Sequence, residues 1–342
     1  MPDPRVVLIT GVVGQWGQRL ALRLQAEPGL RVIGIDHRPP PPASDNLEIS
    51  QLDIRDRLLL DLLQSAAVDT VCHLCLVQGT TSYEEDISGN INLFGACLQA
   101  GVRKIVTMSS TQVYGAQPDN PGLLTEEHPL RASRRGSDRS LLENEHFWKN
   151  FERMNGRDID LTVLRFANIV GPTADTPMTR LLSEPKAPVL LGFNPVMQFI
   201  HEADVVAALA HAVLEDSPGT FNIAGSGTLP LVKAMALAKK PPLALPATWL
   251  RWGASLLDGQ LGQLAPFDFD YLRYRWVADT SKMTEILGFY PQYSGEEAVR
   301  AFASGKDQQQ WQSVLDQAMA QGEELRQFVD QYRRQLEKEE MG

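Results

Sequence analysis

Three glycines at a spacing of three, Gly11, Gly14 and Gly17, are the residues of this chain best arranged for chemistry. They lie between Val6–Ile9, a continuous apolar run of the kind buried on both faces of a parallel sheet, and Gln18–Leu24, whose apolar residues recur at helical spacing. At such a junction Gly11 permits a tight turn, Gly14 lets the backbone approach a pyrophosphate, and Gly17 lets helix and strand pack closely. The helix start, with Gln15 and Trp16 inside the turn, faces the phosphates with unpaired N–H groups and a partial positive charge. A second apolar run, Leu30–Ile35, follows at the distance of a βαβ unit and ends in Asp36. A carboxylate at that strand end accepts hydrogen bonds from ribose hydroxyls and repels a 2′-phosphate, which favours NAD over NADP. Arg38 pulls the other way, because an arginine there accommodates the phosphate.

The elements that must position this turn continue the same alternation. Residues 46–53, 69–75 and 104–109 read as strands, and 56–66 and 87–100 as helices. The expected fold class is α/β, a Rossmann-type doubly wound parallel sheet. With 43% hydrophobic and 22% charged residues, the 342-residue chain has the composition of an ordinary globular protein with a sizeable core. A net charge of -10 argues against a nucleic-acid surface. No apolar run reaches the length of a transmembrane segment and none opens the chain as a signal sequence would, so the cytoplasm is the expected location. The cysteines are Cys72, Cys75 and Cys97, too few and too odd for a disulfide framework. Cys72 and Cys75 have the CxxC spacing of redox and zinc sites. On a strand, however, residues three apart point to opposite faces, so packing is the expected role and no metal is expected.

From Val6 to about Phe302 the chain resembles the extended short-chain dehydrogenase/reductase family, which contains nucleotide-sugar epimerases and dehydratases. The resemblance rests on TGVVGQWG at 10–17, Asp53-Ile54, His73-Leu74, Asn92, SSTQVYG at 109–115 and LRFANIVGP at 164–172. QFIHEAD at 198–204, FNIAG at 221–225 and DTSKMTEILG at 279–288 follow in the family's order. It implies that Asp53 and Ile54 bracket the adenine and that Leu74, Cys75 and Leu76 line the cofactor cleft. Asn92 and Met108 join that cofactor set, and Asn168 positions cofactor and substrate. Ser110 takes the family's catalytic Ser/Thr position.

One part of the pattern is missing. The family places a Tyr and, four residues later, a Lys on one helix face; the Tyr exchanges the proton while NAD takes the hydride, and the Lys lowers the Tyr pKa and holds the ribose. Anchoring on Gly136, Arg139 and Glu143 puts Arg135 at the Tyr position and Arg139 at the Lys position, and no Tyr occurs between Leu123 and Trp148. A guanidinium cannot relay a proton. Arg139 can still reach the ribose, and Arg135 puts a fixed cation at the nicotinamide edge, suited to a carboxylate or phosphate. The replacement acids and bases to consider are Tyr83, Tyr114, His128 and His201. For Tyr114 a structural role is the expectation, and beside His201 Asp204 is expected to cap a helix or form a salt bridge.

The organisation read from the sequence is a Rossmann domain over 1–172 with returning segments near 196–226. A smaller C-terminal substrate lobe comes from 173–195 and 227–302, and an added helical tail from 303–342. The Trp-rich stretch 245–257 is expected to line the lobe, where apolar walls suit a bulky apolar ligand as well as a sugar. In the tail, Trp311, Ala318, Leu325 and Tyr332 recur every seven residues, with Leu315, Gly322, Val329 and Leu336 four residues after each; that stripe needs a surface to cover. Two functions remain open at this point. One is an NAD-dependent oxidoreductase, epimerase or dehydratase with a degenerate active site, working on a nucleotide sugar or related small molecule as a homodimer. The other is a catalytically silent NAD-binding scaffold, sensor or regulatory subunit.

Overall fold

A computed structural model describes residues 4–40, 47–74, 83–133, 136–246 and 269–306. Cys75, Leu76, Arg135, most of the Trp-rich stretch and the tail from 307 lie outside the described residues. The first half runs β1 (Arg5–Thr10), α1 (Gln15–Gln25), β2 (Leu30–Asp36), β3 (Glu48–Gln51), α2 (Leu58–Ser65), β4 (Val68–His73), α3 (Tyr83–Ala100), β5 (Lys104–Ser110), α4 (Gly136–Asn155) and β6 (Asp160–Phe166). The second half runs β7 (Asn168–Val170), α5 (Pro177–Ser183), β8 (Ala187–Leu190), β9 (Val196–Met197), β10 (Phe199–His201), α6 (Glu202–Leu214), β11 (Gly219–Ile223), β12 (Leu229–Pro230), α7 (Leu231–Leu237), β13 (Pro242–Leu245) and α8 (Ser281–Glu285).

Seven strands form one sheet in the order β3-β2-β1-β4-β5-β6-β11, and every neighbouring pair is parallel. The sheet is therefore the Rossmann-type α/β fold expected from the sequence. Alternation along β1 builds its two faces. Val7 and Ile9 join a core with Leu20 and Leu24 of α1 and Val205 and Leu209 of α6. Val6 and Leu8 join the opposite core with Leu59 of α2, Phe94 of α3 and Trp148 of α4. Each of these buried side chains contributes about 1.5–3 kcal/mol, so the helices are fixed by burial and the loops at the strand ends are free to vary.

A third core gathers Val113 and Tyr114 with Met178, Leu182, Val189, Phe199, Leu231, Met235, Trp276 and Phe302. It lies beyond the carboxyl ends of β5 and β6 and carries the small strand pairs β10-β7, β12-β9 and β13-β8. No helix among the described residues is long and apolar enough to cross a membrane.

Candidate active site

Strand order reverses between β1 and β4, and their carboxyl ends open the crevice in which α/β sheets of this kind bind ligands. The turn after β1 is built for a close approach. Gly11 has φ 72°, open to glycine and strained for other residues, and a Cβ on Gly17 would collide with the Gly11 carbonyl oxygen. Gly14 caps α1 in an extended conformation without a side-chain hydrogen bond, and the Gln18 N–H is bonded to the Gly14 carbonyl at 3.3 Å. The Gln15, Trp16 and Gly17 amides precede that bond, so they belong to the unpaired first turn. Gln15 accepts the Asp175 N–H through Oε1 (3.1 Å), and its buried Nε2 has no partner among the described residues. A glycine cradle, a free helix start and an orphaned amide donor fit a dinucleotide pyrophosphate. The Trp16 side chain is packed into the core, so only its backbone faces the crevice.

Asp36 ends β2 beside this turn and is buried. Its Oδ2 accepts the Val13 N–H and its Oδ1 the Arg38 N–H, both at 3.0 Å. The Arg38 guanidinium adds Nε on Oδ1 and Nη2 on Oδ2, also at 3.0 Å. Burial works against the Asp36 charge, but the hydrogen bonds and charge of Arg38 outweigh it and hold the carboxyl below its usual range. Asp53 is paired with Arg55 (Oδ2 to Nη2, 2.7 Å), which lowers its pKa as well. Asn92 lies in α3 and donates to the Ile54 carbonyl at 2.7 Å, so it sets the Asp53-Ile54 loop from behind. Leu74 donates its N–H to the Thr10 carbonyl at 3.2 Å, and Met108 is buried in the adjoining core.

At the floor of the crevice Thr10 Oγ1 and His73 Nδ1 are 2.7 Å apart, joining β1 to β4. His73 is fully buried; desolvation pushes its pKa down to about 4, partly offset by Asn90. A base with its pKa depressed on folding stays neutral in the native state while the unfolded chain takes up a proton. Its stabilising contribution is complete above about pH 6.5 and is lost as pH falls toward 4, by roughly 3 kcal/mol in all. Denaturant midpoints between pH 7.5 and 4.5 are expected to show this slope in the wild type and a flatter one in His73→Gln; equal slopes would rule out His73 as its source.

The carboxyl end of β5 carries two serines with different duties. Ser109 donates to Glu145 Oε1 (2.5 Å), part of a buried network. Glu145 forms a fork with Arg165 at 2.9 and 2.8 Å, and Arg165 Nη1 donates to the Tyr114 hydroxyl at 2.8 Å. Tyr114 donates in turn to Asn222 Oδ1 at 2.7 Å, and burial is the main cause that pushes its pKa up to about 12. Its role is structural, as expected. Ser110 Oγ accepts the Gln112 N–H at 3.2 Å and is half-buried at the crevice.

The first turns of α4 place Asp138, Leu142, Glu145 and Trp148 on the buried face, while Arg139 is half-buried beside it. The phenolic oxygen of Tyr271 lies 3.1 Å from Asp138 Oδ2 and 2.9 Å from the Gln112 carbonyl oxygen. A tyrosine from the third core thus stands between Ser110's own turn and the start of α4. Nothing in the sequence around Tyr271 marks it, since the packing of two distant segments creates the contact. The other candidates fall elsewhere. His128 Nδ1 accepts the Thr125 N–H in a loop, and His201 caps α6 through Nδ1. Asp204 has neither of the expected roles among the described residues; it takes the Gln292 and Tyr293 N–H groups at 2.9 and 3.0 Å. Asn168 donates to the Gln198 carbonyl at 2.8 Å.

Comparison with known proteins agrees with this architecture. The chain is 32% identical over 326 residues to the uncharacterized protein Rv0501 of Mycobacterium tuberculosis (strain ATCC 25618 / H37Rv), covering 89% of this chain and 84% of the relative. Two solved structures share its fold. MoeE5 in complex with UDP-glucuronic acid and NAD matches with TM-score 0.67 and 24% identity, covering 89% of this chain and 99% of that one. UDP-glucose 4-epimerase of Thermus thermophilus in complex with NAD matches with TM-score 0.65 and 20% identity, covering 88% and 98%. The model of one family aligns with residues 7–224, a span that holds the glycine turn, Asp36, Ser110 and the Glu145–Arg165 pair. By that match over most of its length, the chain belongs to the NAD dependent epimerase/dehydratase family.

Proposed function

We propose that the chain is an NAD-dependent oxidoreductase of the epimerase or dehydratase type, acting on a nucleotide sugar, in which the family's Tyr-and-Lys pair is replaced. The observation that carries the cofactor part is the glycine turn at the β1/β4 switch point with an anchored Asp36 beside it. Gln15, the α1 amides and Asp36 hold the pyrophosphate and ribose, Asp53 and Ile54 flank the adenine, and Arg139 reaches the second ribose. Bound NAD supplies a two-electron acceptor and donor. The chain's own task is to hold the sugar and move a proton. Ser110 orients the reacting hydroxyl, and Tyr271 with Asp138 serves as the proton path. When the hydroxyl O–H bond breaks, its proton passes to the phenolic oxygen while the phenolic proton passes to Asp138 Oδ2. The electron pair stays on the substrate oxygen.

Incubation of the purified chain with NAD+ and UDP-glucose, UDP-glucuronic acid or a dTDP-sugar tests this, read by absorbance at the nicotinamide band and by product chromatography. Turnover of at least one sugar is the expected result. The second reading, an NAD-binding scaffold or regulatory subunit, is favoured by the inward positions of α4, where Asp138, Leu142 and Glu145 offer neither Tyr nor Lys. Tight cofactor binding with every sugar untouched would favour it. A homodimer belongs to the first reading, and light scattering at twice the mass of the chain is its check.

A further inference from the structure

We propose that Gln15 is a positioning residue with two ends: Oε1 holds the segment that leads into the third core, and Nε2 takes a phosphate oxygen of the bound dinucleotide. Cofactor occupancy is thereby transmitted to the substrate lobe. The inference rests on the cofactor reading above and adds to it a link that the glycine turn alone does not provide. The Asp175 backbone N–H donates to Gln15 at 3.1 Å, and a backbone N–H can only donate. The amide oxygen therefore faces Asp175, which leaves the NH2 group on the other branch of the amide. Nε2 is buried there and has no acceptor among the described residues. A buried donor without a partner costs stability until an acceptor arrives. Gln15 is the first residue of α1, so a phosphate held by the free amides of residues 15–17 brings an acceptor to the same residue.

Residues 171–176 join β7 to α5, and side chains of α1 and α6 hold them. The Thr173 N–H and hydroxyl both donate to the Glu202 carboxylate, at 3.3 and 3.0 Å. Arg19 donates to the Thr173 hydroxyl and pairs with Glu202 at 3.4 Å. Gln15 and Arg19 are four residues apart, so they lie on one face of α1 and grip the segment from two successive turns. Gly171 permits the close approach, since a Cβ there would come within 2.4 Å of Glu202 Cγ. Asp175 is the last residue before Thr176, which caps α5 in a capping box with Thr179. Met178, Leu181 and Leu182 of α5 are buried in the third core. A phosphate bonded to Nε2 restrains the amide, and through Oε1 it restrains the residue that enters the α5 cap. Linkage is reciprocal, so order in the segment also strengthens the hold on the cofactor. Arg19 and Glu202 keep the segment in place without Gln15, which therefore tunes its order rather than its fold.

The test combines calorimetric titration with NAD+ and hydrogen–deuterium exchange of the full chain, for the wild type, Gln15→Met and Gln15→Glu. In the wild type, saturating NAD+ is expected to slow exchange over residues 173–183 by about fivefold or more. Gln15→Met keeps the length of the side chain without either polar end. It is expected to bind NAD+ about tenfold more weakly and, once saturated, to show no slowing over 173–183. Gln15→Glu keeps an acceptor for Asp175 but sets a carboxylate against the phosphates. Its free form is expected to exchange over 173–183 like the wild type, while its NAD+ affinity falls by at least about tenfold. A purely structural role would alter exchange of the free variants and leave the NAD+-dependent difference intact. Equal slowing over 173–183 in wild type and Gln15→Met would therefore overturn the proposal, as would unchanged NAD+ affinity in either variant. So would a wild type that binds NAD+ without any change over 173–183. A wild type that binds no NAD+ would instead refute the cofactor reading itself.

Discussion

Tyr271→Phe is expected to lower kcat by about 10²–10⁴-fold on whichever nucleotide sugar the wild type turns over, which is the usual worth of a positioned proton donor and acceptor. The substitution removes one oxygen and leaves the ring, which packs edge-on against Trp276 with centroids 5.1 Å apart, in the same buried place. A lost phenolic hydrogen bond to a carboxylate costs about 1.5–3 kcal/mol of stability. Affinity for NAD+ is expected to change little and the fold to persist while turnover collapses. Asp138→Asn separates a proton path from a tether. It retains a hydrogen-bond partner for the phenol but cannot accept the proton, so it is expected to abolish the limb of the kcat–pH profile that reports the carboxylate. If Tyr271 only tethers the third core to α4, both variants lose activity no faster than they lose folded protein, and the profile keeps its shape.

The largest loss of stability is expected from Glu145→Ala, about 3–5 kcal/mol, measured by denaturant unfolding at neutral pH. Glu145 and Arg165 are both buried, with side chains 3% and 5% exposed, so removal of the carboxylate strands a guanidinium that cannot shed its charge. In the intact pair burial opposes the Arg165 charge, but Glu145 more than offsets it and keeps the pKa above its ordinary value. Three further contacts depend on the same point: Ser109 on Glu145, and Tyr114 and the Glu126 carbonyl on Arg165. The damage is thus expected to reach the turn that carries Ser110. Replacement of both partners, Glu145→Leu with Arg165→Met, leaves no unpaired charge and is expected to cost less than Glu145→Ala alone. A single-variant loss below about 1 kcal/mol would show that the pair is not the junction of α4, β5 and β6 described here.

The first third of the cofactor crevice was legible because it is local. A strand, three glycines, a helix and an acidic strand end are all contained within thirty-odd residues, and each constrains its neighbours through backbone geometry alone. The sheet class was legible for the same reason, since apolar runs alternate with helical periodicity from β1 to β5. The region proposed for acid–base work was not. Its partners, Asp138 and Tyr271, are 133 positions apart, and no sequence period connects them. Within α4, Glu143 and Glu145 are both acidic and two residues apart. The sequence offered Glu143 as an anchor, while helical geometry turns Glu145 inward to Arg165. Asn92 matched a family position as a cofactor residue, and the bond of its amide to the Ile54 carbonyl, 38 positions away, could not be read from that match. Trp16 was read as part of the glycine turn, whereas it belongs to the first turn of α1, where a side chain of its size on an amphipathic helix goes to the core.

NAD bound in the crevice between β1 and β4 is expected to leave its footprint in hydrogen–deuterium exchange with and without NAD+. The free amides at 15–17 and the Arg38 and Arg55 amides, which bond to Asp36 and Asp53, are expected to exchange more slowly when the cofactor is present, with His73 and Leu74 following as the crevice floor is covered. Strands at the far edge, such as β11, are expected to be unaffected. Protection confined to other parts of the chain, or no change at 15–17 under saturating NAD+, would exclude NAD from this crevice.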